Sequence, residues 1–107
     1  MLTSGHSTRR ISIPKAYIVA HIRIHDPETF ERFKSMTGPA IKDFGGRVLV
    51  RNPNIDHREG AATGTCIIVE FDSFEQARAF YESEAYTAAR RVREEAAETD
   101  LIIVDGI

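Results

Sequence analysis

His21 is the side chain best placed for proton transfer at neutral pH, because an imidazole titrates near neutrality without perturbation. It sits inside KAYIVAHIRIHD, a stretch that alternates apolar and polar residues. On the same parity lie Tyr17 and Arg23, and two further arginines, Arg47 and Arg51, bracket the short run RVLVR. Arginines grouped this way can hold a carboxylate through two parallel N–H bonds, which suits a small acidic or enolisable ligand. Tyr17, Tyr81 and Tyr86 add phenolic donors for a ligand oxygen, and Glu70 adds a carboxylate on the same face. Each has a plainer role beside the chemical one. His21 can be a hydrogen-bonded interface residue, the arginines can pair with Glu70 and Asp105 across a sheet, and the tyrosines of FYESEAY can be core. The run Asp56-His57-Arg58-Glu59 has ligand-type side chains, but neighbours in one turn-rich loop do not converge on a metal. No phosphate loop, nucleophile elbow or zinc signature is present, so neither a metal nor a cofactor is implied.

These side chains need elements to hold them. The alternation from Lys15 predicts a strand, and Asp26-Pro27 predicts an N-cap followed by proline in the first helical turn. Phe30, Phe33, Thr37, Ile41 and Phe44 then recur at helical spacing as far as Gly45-Gly46, where a left-handed C-cap is cheap. Gly38-Pro39 interrupts that helix, so a kink or a break near Thr37 is expected. RVLVR is a second strand, residues 52–64 form a long polar loop, and Thr65 to Phe71 is a third strand. Ser73 and Gln76 make a capping box for a helix carrying Phe74, Ala77, Phe80 and Tyr81. Ser83 caps another from Glu84 to about Glu98, and LIIVDGI is a fourth strand. The order is βαββαβ, an α+β, ferredoxin-like pattern: a four-stranded antiparallel sheet with its helices on one face.

Parity divides the strands into two faces. Ile18, Ala20, Ile22 and Ile24, with Val48, Val50, Ile67, Val69, Phe71, Ile102 and Val104, form the set expected under the helices. The opposite set holds Tyr17, Val19, His21, Arg23, Arg47, Leu49, Arg51, Cys66, Ile68, Glu70, Leu101, Ile103 and Asp105. That face is half apolar across roughly 300 Å² of sheet, more than a solvated face carries. A second copy packing sheet on sheet is the expected cover, leaving a pocket bounded by His21, Arg51 and Tyr81.

The 107 residues suit one domain, residues 15–107, preceded by a polar arm or expression remnant over residues 1–14. A formal net charge of −2, with 42% hydrophobic and 28% charged residues, gives no electrostatic case for nucleic acid. The mixed-charge run from Arg90 to Glu98 reads as a solvated helix face, with Arg90/Glu94 and Arg91/Glu95 at i,i+4 spacing. No apolar stretch has the length of a membrane span. The single cysteine, Cys66, is expected buried and inert, which fits a reducing cytoplasm.

KAYIVAHIRIHDPETFERF, GPAIKDFGGRVLVR, IIVEFDSFEQARAFYESEAY and the closing DLIIVDGI, in this order and spacing, resemble the domain-of-unknown-function 1330 family of the dimeric α/β-barrel superfamily. The resemblance runs over nearly everything after Pro14. The chain departs from the family pattern at Asn52-Pro53, where a glycine pair is common, and at Phe80, where tryptophan is common. It implies a ferredoxin-like protomer and a homodimer, with no established reaction. Superfamily relatives include cofactor-independent monooxygenases, muconolactone isomerases and dye-decolourising haem proteins, which suggests a site location more than a chemistry. Two functions stay open: a dimeric module binding a small organic metabolite between sheet and helices, and a cofactor-independent enzyme using His21 as general base on a small oxygenated acid.

Overall fold

The computed structural model describes residues 13–107; the arm expected at the N-terminus lies, up to residue 12, outside the described residues. Strand β1 (Ala16–Ile24) leads into helix α1 (Pro27–Asp43), then β2 (Arg47–Arg51) and β3 (Thr65–Phe71). Helices α2 (Phe74–Glu82) and α3 (Glu84–Ala96) follow, and β4 (Ala97–Asp105) closes the chain. All pairings are antiparallel and the strand order is β2-β3-β1-β4, the ferredoxin-like arrangement with the first and third strands central.

The helix ends follow from their capping residues. Asp26 accepts from the Thr29 N–H, Ser73 from the Gln76 N–H and Ser83 from the Tyr86 N–H, each satisfying a donor that the first turn leaves free. Gln76 does not close the reciprocal half of its box. Its side-chain amide donates to the Phe44 carbonyl and ties the end of α1 to α2. Helix α1 stops in a Schellman turn: the Gly46 N–H reaches the Ile41 carbonyl at 2.8 Å and the Gly45 N–H the Lys42 carbonyl at 3.0 Å. Gly45 has φ of +73°, which a side chain would strain.

Pro39 does not break α1, which runs as one helix from Pro27 to Asp43. Proline removes the bond to the Ser35 carbonyl, but Ser35 and Pro39 are both exposed, so water can serve that oxygen. Gly38 has no Cβ to collide with the proline ring, which is what ordinarily drives the preceding residue out of helical geometry. The aromatic core is built around Phe71, Phe80 and Tyr86, with ring centroids 5.2 and 4.7 Å apart in that order. Helix α1 packs chiefly along α3, whereas α2 sits on β1, β3 and β4.

Two face assignments need correction. Strand β4 starts at Ala97, directly out of α3, and its register sets Leu101 opposite Ala20 and Ile103 opposite Ile18. Paired residues share a face, so Leu101 and Ile103 pack toward the helices while Ile102 and Val104 are exposed, at 58% and 39%. LIIV is apolar at both parities, so only the pairing could orient it. In β2 the register shifts between Val48 and Val50, a bulge at Leu49. Val48 pairs with Val69 under the helices, Val50 with Ile68 on the open face, and Arg51 with Ile67 under the helices.

Candidate functional site

Because α1 leans on α3 more than on the sheet, a cavity of about 800 Å³ opens between α1 and the helix-side face of the strands. Its walls are largely apolar, with Ile18, Ala20 and Ile22 from β1 and Phe30, Phe33 and Ile41 from α1. Tyr86, Arg93 and Thr37 face this space from α3 and α1, and Lys34, Lys42, Arg51 and Asn52 contribute to its edges. The size and the mixture of apolar wall with few polar groups are those of small-molecule sites.

Arg93 is the unusual member. It is 6% exposed, and among the described residues no carboxylate lies within ion-pairing distance of it. One terminal nitrogen, Nη1, donates to the Tyr86 hydroxyl, while Nε has no partner. The guanidinium carbon lies 5.8 Å from the Phe33 ring centroid and 6.0 Å from that of Tyr86. These aromatic contacts offset part of the desolvation of the charge, but they leave in-plane donors unused. Thr37 is 9% exposed, and its hydroxyl is likewise buried without a partner. Burial pushes the Tyr86 phenol above the ordinary tyrosine range, against the opposing pull of nearby Arg93, so the hydroxyl stays protonated at neutral pH.

The residues expected from sequence to gather at one site are divided by the sheet. The bulge in β2 carries Arg51 to the cavity edge, and Tyr86 lines the cavity wall. His21 pairs with Cys66 and Asp100 on the other face, beside the loop containing Asp56 to Glu59. The structure therefore does not bring His21 and Arg51 together. Tyr17 and Glu70 are directly paired on that same open face. Glu70 accepts from Arg47 Nε at 2.9 Å, and Arg47 also reaches Asp72 at 2.8 Å. Arg23 is held by Asp100 at 3.1 Å and by the Thr63 carbonyl at 3.2 Å. Tyr81 is half-buried behind Tyr86, ring centroids 5.3 Å apart, with Arg90 over its other side. In the loop, Asp56 binds Arg58 through both oxygens at 2.9 Å, and His57 bonds to the Gly60 carbonyl.

Sequence reasoning missed Arg93 by absorbing it into the solvated run of α3. The available signal was its phase: Tyr86, Ala89, Arg93 and Ala96 recur at three- and four-residue steps and are all buried. Arg90 has Glu94 four residues on, at 2.8 Å, whereas Arg93 has Ala89 and Ala97 at the corresponding steps.

The fold is shared by several solved structures. A protein of unknown function from Rhodopseudomonas palustris, RPA0582, is 17% identical, with a TM-score of 0.68 over 88% of this chain and 83% of that one. SnoaB, a cofactor-independent oxygenase from Streptomyces nogalater, is 12% identical at a TM-score of 0.62, covering 88% of this chain and 94% of its own. A dimeric ferredoxin-like protein of unknown function from Thermobifida fusca is 12% identical at 0.55, covering 91% and 95%. No curated protein matches the sequence. The family model for the domain of unknown function DUF1330 matches residues 15–107, from the start of the described strands to the last residue, and the chain belongs to that family.

Proposed function

We propose that this protein binds a small organic molecule in the cavity between sheet and helices, and that it works as a two-fold dimer through the open sheet face. One observation carries the binding reading: an apolar cavity of about 800 Å³ faced by a buried arginine that no carboxylate among the described residues neutralises. A buried charge is ordinarily paired, and a site that keeps one unpaired is arranged for something that arrives from outside. Support for the dimer comes from Ile102 and Val104 exposed on the open face of the sheet, with Leu49 exposed at the bulge, and from structural neighbours described as dimeric. The oxygenase among those neighbours bears on where a ligand would sit, because at 12% identity it shares a fold and not a reaction.

The binding reading is tested with a neutral aromatic probe, 1-naphthol, followed by calorimetry and by chemical-shift changes. Saturable binding is expected in the unaltered protein and loss of it in Ala20→Phe, which places a ring in the cavity from a buried wall position. Should Ala20→Phe not fold, Val48→Phe fills the same space from β2. Binding that survives both substitutions, or the absence of binding in the unaltered protein, overturns the reading.

A further inference from the structure

Building on the small-molecule reading above, we infer that the ligand is an organic carboxylate with a ring-sized apolar body, its carboxylate held by Arg93 and Thr37 inside the cavity. The inference starts from what Arg93 lacks. Its faces meet Phe33 and Tyr86, so what remains unsatisfied is the in-plane edge of the guanidinium, where Nε has no acceptor. A planar two-oxygen acceptor is the group that fits such an edge. Thr37, from the facing helix α1, lines the same cavity and carries a second buried and unpartnered polar atom, a hydroxyl that can donate to a carboxylate oxygen. Among the described residues no carboxylate lies within ion-pairing distance of Arg93 to supply the missing anion. The described carboxylates that form ion pairs do so with other cations, and residues 1–12 contain neither aspartate nor glutamate.

The charge count favours a monoanion. Among the described residues Arg93 is the single cation buried in the cavity wall, and a phosphate dianion there would need further donors that Ile18, Ile22, Phe30 and Phe33 cannot give. Those same walls suit a flat hydrocarbon body. Glu31 at the edge is paired with Lys34, whereas Lys42 and Arg51 there have no carboxylate within ion-pairing distance among the described residues, so the approach to the cavity is net positive and draws an anion inward.

The test compares 1-naphthoate with its neutral isostere naphthalene-1-carboxamide, on the unaltered protein and on Arg93→Met. In the unaltered protein the carboxylate is expected to bind roughly 10- to 100-fold more tightly than the amide, the range for a buried charge-assisted hydrogen bond. Arg93→Met keeps the unbranched stem as far as the Nε position without the charged group; it is expected to lose the preference for the acid over the amide. Equal binding of acid and amide by the unaltered protein overturns the inference while leaving the cavity reading intact, and no binding of either overturns both. An Arg93→Met protein that still prefers the acid also overturns it. The acid-to-amide ratio in the unaltered protein needs no variant, so the outcome stands even if Arg93→Met does not fold.

Discussion

A guanidinium buried without a counter-ion makes its few remaining partners matter. Tyr86 takes one N–H of Arg93, so Tyr86→Phe strands a buried donor and is expected to lower unfolding stability by about 1–3 kcal/mol, read from urea titration. The double variant Arg93→Met/Tyr86→Phe removes both polar groups, and is expected to recover most of that loss. The phenol also makes a pH signature. Its proton is held more tightly in the folded chain than at the ordinary value of 10.0, so its contribution to stability is complete below that pH. Above it the unfolded chain ionises first and stability falls as pH rises; urea midpoints measured from pH 8 upward should lose this part of the slope in Tyr86→Phe. At this scale the sequence was legible where a side chain's type decides its role, as with the caps at Asp26, Ser73 and Ser83. It was illegible at Arg93, because in one dimension a buried arginine reads like its half-buried neighbour Arg90 and its exposed neighbour Arg91. Burial is set by the phase of α3 against α1, which requires knowing that the two helices pack together.

Among the elements, existence and order could be read from periodicity and capping, but facing could not always be. Strand β1 has one wholly apolar parity and β3 one that is apolar after Thr65, and their faces follow from it. Strand β4 is apolar at both parities and β2 contains a bulge, so only hydrogen-bonded pairing fixes which side chains turn inward. Helix α1 shows the opposite kind of discrepancy. Its Pro39 is tolerated because the carbonyl it leaves free is exposed and because Gly38 precedes it. Tolerance is not neutrality: Pro39→Ala restores a donor and removes the ring, and is expected to raise stability by about 1–3 kcal/mol with no change in helix boundaries. Thermal and urea unfolding would check the first, and amide exchange at Ser35 to Asp43 the second; a destabilised protein would mean that the proline ring itself contributes to the packing of α1.

As a whole, the protomer has one sheet face beneath helices and a cavity, and another that presents apolar residues beside ion pairs. Arg47 with Glu70 and Asp72, and Arg23 with Asp100, lie around Val19, Ile68 and Ile102, a distribution suited to an apolar centre with a charged rim. Exposed pairs of this kind add little to the stability of the chain itself, and in the proposed dimer their value would lie in orientation of the partner. Native mass spectrometry is expected to give twice the 12.0 kDa chain mass, and Ile102→Asp to give a monomer with an unchanged far-ultraviolet spectrum, since Ile102 touches no core in the protomer. A monomeric unaltered protein at micromolar concentration would remove the dimer from the proposal without touching the cavity. Among the described residues no helix is long and apolar enough to cross a membrane.

The bulge at Leu49 has a consequence for how such proteins diversify. One residue inserted or deleted in β2 exchanges the faces of everything beyond it, so Arg51 moves between the cavity edge and the open face while the composition of the strand barely changes. The cavity and the open face are therefore linked through a single backbone position: under the proposed function, a length change there would rewrite the charge at the mouth of the ligand site and at the rim of the subunit contact in the same step, with no substitution at either.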